Sequence, residues 1–210
     1  SSAGDQQTSD PYSQNDSLTN LFSSQVHDTL VRRDKQLRIV PGLATAWTQL
    51  GPTTWRFHLR KGVVFHDGSP FTADDIVFSI ERAQHPNSQL RQYANLLGKA
   101  RKIDDFTVDL VQERPNPILL EHATTIYIMS KPWAAKHRSE RPLDFKNKEE
   151  THASRHANGT GPWRLVSRQP DVRTVLRRNP RWWDRHEGNV TDIVYQPLAS
   201  DATRIAALLS

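Results

Sequence analysis

The chain has 210 residues, 36% of them hydrophobic and 24% charged, with a net charge of +5 and a pI near 9.7. That length supports a substantial core, in one large domain or two smaller ones, and no run approaches the ~20 apolar residues that a membrane-spanning helix needs. The absence of cysteine removes disulfides and thiolate metal sites but fits either redox compartment.

In chain order, the opening SSAGDQQTSDPYSQNDS has neither a basic n-region nor an apolar h-region, so it is not an intact signal peptide. Residues 1–20 are polar and turn-rich and are expected to wrap across a surface. LFSSQVHDTLV, 21–31, begins as a helix and runs into a short extended segment. IVPGLATAWTQL, 39–50, is apolar, is interrupted by Pro41-Gly42 and is followed by a Gly51-Pro52 turn. Trp55, Phe57 and Leu59 then alternate with Arg56, His58 and Arg60, the period-two pattern of a strand with one buried face.

His66-Asp67-Gly68 marks a turn in which Gly68 supplies a positive φ. Thr72 is placed as N-cap and Asp75 as its N3 partner, with Phe71 and Ile76 as a hydrophobic staple, and the helix should end before Pro86. QLRQYANLLGK predicts a shorter helix, KARKIDDFTVDLV a hairpin around Asp104-Asp105, and ILLEHATTIYIM a helix. The polar stretch 137–161 reads as a surface excursion. WRLVSRQPDVRTVLRR predicts a hairpin turning at Gln169-Pro170-Asp171, VTDIVYQPL a further strand, and Asp201 the cap of a terminal helix containing Ile205, Leu208 and Leu209. This mixture predicts an α/β fold of mixed α+β character.

Chemistry-bearing patterns are sparse. Ser69, His66 and Asp67 bring three triad residue types together, but neighbours around one turn do not build a triad, and no GxSxG elbow is present. His152 and His156 have helical i,i+4 spacing without HExxH, and the other seven histidines show no compact ligand spacing. Neither catalysis, a metal centre nor a cofactor is expected. In GTGPW, Gly159 and Gly161 permit close packing, Pro162 stiffens the turn and Trp163 anchors the next strand; the GK[ST] ending of a phosphate loop is missing. Asn179-Pro180 gives a turn clamped by Trp182 and Trp183. The basic clusters Arg32, Arg33, Lys35, Arg38 and Arg177, Arg178, Arg181 are dispersed, which favours a solvated cationic surface over a nucleic-acid groove.

Six ordered blocks carry a resemblance: HDTLVRRD at 27–34, PGLATAW at 41–47, FHLRKGVVFHDGSPFTADDIVFSIERA at 57–83, IDDFTVDL at 103–110, GTGPW at 159–163 and RRNPRWWD at 177–184. Together they resemble the family 5 extracellular solute-binding proteins, the dipeptide and oligopeptide receptors of bacterial ABC importers. The resemblance implies part of a periplasmic-binding-protein type II-like fold, with 1–47 and 159–210 forming a discontinuous portion of the first ligand-binding lobe and 48–158 an inserted smaller lobe. Similar chains are about twice as long or more and continue beyond ATRIAALLS into a distal lobe, so this chain is expected to be a fragment carrying half a site.

The same resemblance implies a periplasmic location, or an extracellular one with a lipoprotein anchor, indirect membrane association, and an ABC permease complex as partner. Its cargo would be a short peptide; a nickel chelate or another small solute is the alternative, as is a ligand-sensing domain of a transcription regulator. Ligand contacts are expected from Arg91 and Tyr93 in QLRQYANLL, from Tyr12, Asn15 and Asn20, and from Gly159, Thr160 and Gly161 bordering the cleft. His66, Asp67, Gly68, Asp74, Pro162, Trp163, Asn179, Pro180 and Trp183 are expected as structural signature residues.

Overall fold

A computed structural model of the chain describes residues 4–198; the helix expected after Asp201 lies outside them. The first helix, α1 (Ser17–Val26), starts where the Asp16 carboxylate accepts the N–H groups of Leu18 and Thr19, both at 3.0 Å. Such a cap satisfies donors that the first turn leaves unpaired. The helix buries Thr19, Phe22, Ser23 and Val26, one face at 3.6-residue spacing. β1 (Val31–Arg33) and β2 (Ile39–Pro41) form a short antiparallel ribbon.

A four-stranded antiparallel sheet follows, made from β3 (Ala44–Gly51), β4 (Thr54–Leu59), β5 (Lys99–Asp104) and β6 (Thr107–Val111) in the order β3-β4-β6-β5. The expected alternation holds in β4: Phe57 and Leu59 are buried and His58 is exposed. On the opposite face, Arg56 faces Asp109 across the ladder and forks onto its carboxylate at 2.7 and 2.9 Å, while Arg101 adds a third bond at 3.0 Å. α2 (Ala73–Ala83) lies against β5 and β6. Its start follows the sequence pattern: the Thr72 N–H reaches Asp75 Oδ2 at 2.9 Å, and Phe71 and Ile76 are both buried.

Short helices α3 (Arg91–Leu97), α4 (Leu119–Ala123), α5 (Lys131–Lys136) and α6 (His152–Arg155) close around this unit. Their apolar faces join one core that runs from Tyr12, Leu30 and Leu43 through Phe57, Ile76 and Leu110 to Leu119 and Trp133. The chain ends in a three-stranded antiparallel sheet, β7 (Trp163–Gln169), β8 (Arg173–Arg178) and β9 (Asp192–Tyr195), ordered β7-β8-β9. α1 covers it through a second core of Phe22, Val26 and Leu176, with the Phe22 and Tyr195 rings edge-to-face at 5.2 Å.

Three expectations need correction. Asp5, Gln6, Thr8, Ser9, Asp10, Tyr12 and Ser13 are buried, so this polar segment threads the interior instead of wrapping a surface. It does so because α2 presents Arg82 to it: Arg82 forks onto Asp10 at 2.8 and 2.6 Å and donates to the carbonyls of Ser139 and Arg141, both at 3.0 Å. Burial of a charge is tolerable only with such pairing. The helix expected over 118–129 stops at Ala123. The β-branched Thr124, Thr125 and Ile126 leave it, Tyr127 bridges to Thr29, and Ile128 donates its N–H to Asp28 O at 2.9 Å. The excursion at 137–161 contains α6 and buries Leu143, Ala153 and Asn158.

Candidate functional site

Where α1 ends, the C-cap His27 turns extended, and Asp28 and Thr29 run beside Tyr127. A cavity of about 400 Å³ opens there, between the exposed side of α1 (Ser24, Gln25), Arg32 and Arg33 of β1, Thr124 and Tyr127, and Pro162 with Trp182. Asp28 is its central polar group. Asp28 Oδ2 accepts the Thr160 hydroxyl at 2.8 Å and the Trp183 indole N–H at 2.7 Å. Trp182 Nε1 is buried without meeting hydrogen-bond geometry, yet lies near enough to favour the carboxylate charge. Burial raises the Asp28 pKa, an effect that these donors and Arg32 only partly offset.

Of the arginines around the cavity, Arg32 and Arg33 are ion-paired, whereas Arg60 donates, among the described residues, only to the Gly42 carbonyl, at 3.4 Å. Arg32 reaches Asp184 at 2.5 Å and Arg33 pairs with Glu121. Arg60 and Arg32 also stack on Trp183, with Cζ atoms 4.2 and 5.1 Å from its ring centroid. His27 is held neutral: burial lowers its pKa to about 4, and its Nδ1 faces the Ile128 carbonyl at 3.2 Å.

The GTGPW turn is the knot that fixes this geometry. Gly161 donates its N–H to Val26 O at 2.9 Å, and its carbonyl accepts from His66 Nε2 and Asn179 Nδ2, both at 3.0 Å. The Gly159 carbonyl accepts the His66 N–H at 2.9 Å. A Cβ on Gly159 would stand 2.0 Å from Val26 O, and one on Gly161 2.7 Å from it, so only glycine permits this approach to α1. Gly161 and the Thr160 hydroxyl therefore have their polar groups engaged inside the protein, and Thr160 is buried. In this structure Gly159 and Gly161 pack against the end of α1, and Thr160 anchors Asp28.

The signature residues converge on the same knot. Asp67 donates its N–H to Asn158 Oδ1 at 3.0 Å and accepts the N–H and hydroxyl of Ser69, Gly68 has φ 94°, and Pro162 O accepts the Asn179 N–H at 2.8 Å. Ser69 thus points at Asp67, while the buried His66 ring points at Gly161, so the three residues build no nucleophile–base pair. Burial holds the His66 imidazole near 4. Trp163 meets His186 edge-on at 6.3 Å, Pro180 is exposed, and Asp74 in the first turn of α2 pairs with Lys102 of β5 at 2.6 Å.

Of the expected ligand contacts, Asn15 and Asn20 come together: their side chains share a 2.8 Å bond at the start of α1, and the Tyr127 hydroxyl donates to Asn20 O at 3.2 Å. Tyr127 therefore links this pair to the cavity. Tyr12 is fully buried, and its hydroxyl donates to the Tyr127 carbonyl, which places it as support beneath Tyr127. Arg91 is exposed beside a shallow depression with Ser88, Gln89, Gln92 and Asn95. Tyr93 is half-buried, its ring 6.3 Å from His122 on α4. His152 and His156 stack at 4.0 Å, and His152 also stacks on His137 at 4.0 Å; parallel faces at that spacing do not converge nitrogens on one ion, and no metal-holding group occurs among the described residues.

Asp28 and Tyr127 were not singled out from the sequence. The available signal was an acidic residue inside the apolar run VHDTLV, which needs buried donors if it packs.

Known proteins resemble this chain in sequence and in fold. The model for bacterial extracellular solute-binding proteins, family 5 Middle, matches residues 38–210. The glutathione-binding protein GsiB of Pectobacterium atrosepticum is 27% identical over 203 residues, 95% of this chain and 37% of that protein. The periplasmic oligopeptide-binding protein OppA of Escherichia coli K12 is 27% identical over 206 residues, 88% of this chain and 36% of that protein. The structure of the ABC transporter-associated periplasmic binding protein DppA from Helicobacter pylori, in complex with peptide STSA, superposes with a TM-score of 0.82 at 25% identity. That match covers 98% of this chain and 43% of DppA. The chain thus spans little more than a third of the length of these curated relatives, and the type II binding-protein fold expected from the sequence is the one observed. Matched over most of its length by the family model, the chain belongs to the bacterial extracellular solute-binding proteins of family 5.

Proposed function

We propose that this chain is part of the solute-capturing subunit of an ABC importer, working outside the cytoplasmic membrane and taking short peptides. The observation that carries the reading is the α1 surface, where Asn15, Asn20 and Tyr127 adjoin a cavity of about 400 Å³ with one half-buried carboxylate and two aromatic walls. Such a surface matches a peptide, which brings charged termini and amides that need replacement partners once stripped of water. The relatives' names point the same way, to glutathione for GsiB and to oligopeptides for OppA. Capture needs no bond chemistry. An ABC permease complex is the membrane partner in this reading.

The lobe division goes with it. α1 rests on the β7-β8-β9 sheet although more than 130 residues separate them, which supports assigning 1–47 and 159–210 to one ligand-facing lobe. The antiparallel sheet β3-β4-β6-β5 with α2 and α3 supports a smaller inserted lobe over 48–158. Arg91 and Tyr93 on α3 would contribute to cargo from that side.

Native mass spectrometry of gently purified protein, followed by calorimetry with tri- and tetrapeptides, tests the reading. Copurified short peptides, or saturable peptide binding, are expected. A nickel-chelate adduct as the sole ligand, with no response to peptides, overturns the cargo assignment.

A further inference from the structure

The excursion 137–161 folds back on α5 through a ladder of rings. His137, the C-cap of α5, stacks on His152, the first residue of α6, at 4.0 Å and an interplanar angle of 9°. His152 in turn stacks on His156, the C-cap of α6, at 4.0 Å and 5°. Trp133 closes the inner end, 5.0 Å from the His137 ring and 5.4 Å from that of His152. Trp133 and Ala153 are buried in the main core, whereas His137 and His152 are half-buried and His156 is exposed, so solvent protons have access to the ladder. The same segment is tied to the rest of the fold by the Ser154 carbonyl, which accepts the Ser9 N–H at 2.9 Å, and by Asn158, which accepts the Asp67 N–H at 3.0 Å.

Charge around the ladder is one-sided. Burial, followed by the charges of His156 and His137, lowers the His152 pKa below 6.5, and no carboxylate among the described residues acts against them. The neighbouring carboxylates are engaged elsewhere. On the connecting segment Glu149 pairs with Arg141, Glu150 with Arg155, and Asp144 bonds Asn147. On the N-terminal segment beside α6, Asp10 pairs with Arg82 and Asp5 with Arg168. Asp75 of α2, which packs on α5, accepts the Lys131 N–H at 2.8 Å, and Glu81 and Glu140 are exposed. Lys131, Lys136 and Arg138, on α5 and just after it, add only positive charge. Neutral imidazoles stack, and a neutral ring face attracts one cation, but two imidazolium rings at 4.0 Å repel.

We propose that the ladder of His137, His152 and His156 is an acid-sensitive clasp: neutral, it holds α6 against α5, and charged, it releases the segment 137–161. His156 Nδ1 lies 3.1 Å from the His152 carbonyl, a contact that a second proton on the ring leaves in place, so the ring faces are the acid-sensitive element. A histidine whose pKa is lowered in the closed form contributes stability above its open-form pKa. That stability is lost as pH falls from 6.5 toward the closed-form value. The clasp does not depend on the cargo; it adds a response to external pH to a chain working outside the cytoplasmic membrane.

Hydrogen exchange read by mass spectrometry, at about pH 7.5 and about pH 5.5, tests the clasp through peptides within 137–161, with protection factors corrected for intrinsic exchange. On acidification those factors are expected to fall at least about tenfold further in wild type than in His152→Gln, whose central position cannot charge. His27 and His66 are common to both proteins, so their own response to acid cancels. In parallel, NMR titration of the histidine ring signals is expected to place the His152 midpoint below 6.5 in wild type and to move it upward in His156→Gln, which changes an exposed ring. A ring that only packs would leave that midpoint where it was, and this measurement decides the matter if His152→Gln does not fold. An equal loss of protection in wild type and folded His152→Gln, or a His152 midpoint unmoved in His156→Gln, overturns the clasp.

Discussion

Replacing Asp10 by alanine tests whether the buried N-terminal segment is held by charge. Asp10 and Arg82 are both fully buried, their two bonds measure 2.6 and 2.8 Å, and Tyr12 lies under the guanidinium with its ring centroid 5.2 Å from Cζ. Asp10→Ala leaves that cation bound only to the carbonyls of Ser139 and Arg141. Removing one partner of a buried pair costs about 3–5 kcal/mol, and for a chain of this length each kcal/mol moves the melting temperature by roughly 2–4 °C, so a fall of roughly 6–20 °C is expected. Urea denaturation of Asp10→Ala, Arg82→Met and the double variant measures it. The double variant should lose less than the sum of the singles, because it buries no unpaired charge. Acid gives a second readout. Burial alone would raise the Asp10 pKa, but the charge and hydrogen bonds of Arg82, with the Tyr12 N–H bond and the nearby Ser13 hydroxyl, bring it below the usual value. A carboxyl depressed in the folded state contributes stability above its unfolded pKa and loses it as pH falls through the folded value, so this contribution should begin to decline near pH ~4 and vanish only below the folded value. A loss under ~1 kcal/mol in Asp10→Ala at pH 7 would refute the reasoning.

Other consequences follow from the same contacts. Gly159→Ala should destabilise by at least the ~1–3 kcal/mol typical of overpacking, because its Cβ would meet the backbone oxygen of Val26 at 2.0 Å; thermal melts check this against a Gly51→Ala control, where nothing lies within 4 Å and φ is outside the left-handed range. The His27 and His66 pKa values near 4, against 6.5 unperturbed, mean that the unfolded chain protonates first as pH drops. Stability present above pH 6.5 should fall toward pH 4 by on the order of 3 kcal/mol per histidine, and His66→Gln should flatten that slope in denaturation curves at pH 7 and 4.5. Arg91→Ala should leave stability within about 0.5 kcal/mol, since its side chain is exposed, while weakening carboxylate-bearing cargo about tenfold by calorimetry. Tyr93→Ala should lose cargo affinity and also some stability through its half-buried ring; unchanged affinity in both folded variants would return α3 to a purely structural role.

Local elements were legible because their causes are local. The Thr72–Asp75 cap, the β4 alternation, the Gly68 turn, the Asp104-Asp105 hairpin and the β7–β8 hairpin each depend on residues within a few positions of one another. The ordered blocks likewise sufficed to place the chain in its family. What the sequence could not disclose depends on partners far along the chain. Residues 5–13 look solvated until Arg82, more than 70 positions later, supplies the countercharge that takes Asp10 inside. ILLEHATTIYIM reads as one helix until Thr29 and Asp28 offer its second half extended pairing. GTGPW reads first as a packing turn, and only the approach of Val26, His66 and Asn179 supplies the partners of its backbone groups. Asp28 gains its place in a cavity only when Thr160 and Trp183, both more than 130 residues away, close on one of its oxygens. Periodicity and capping are short-range physics and are written along the chain; burial of charge is a long-range settlement, and the fold alone decides which partners meet.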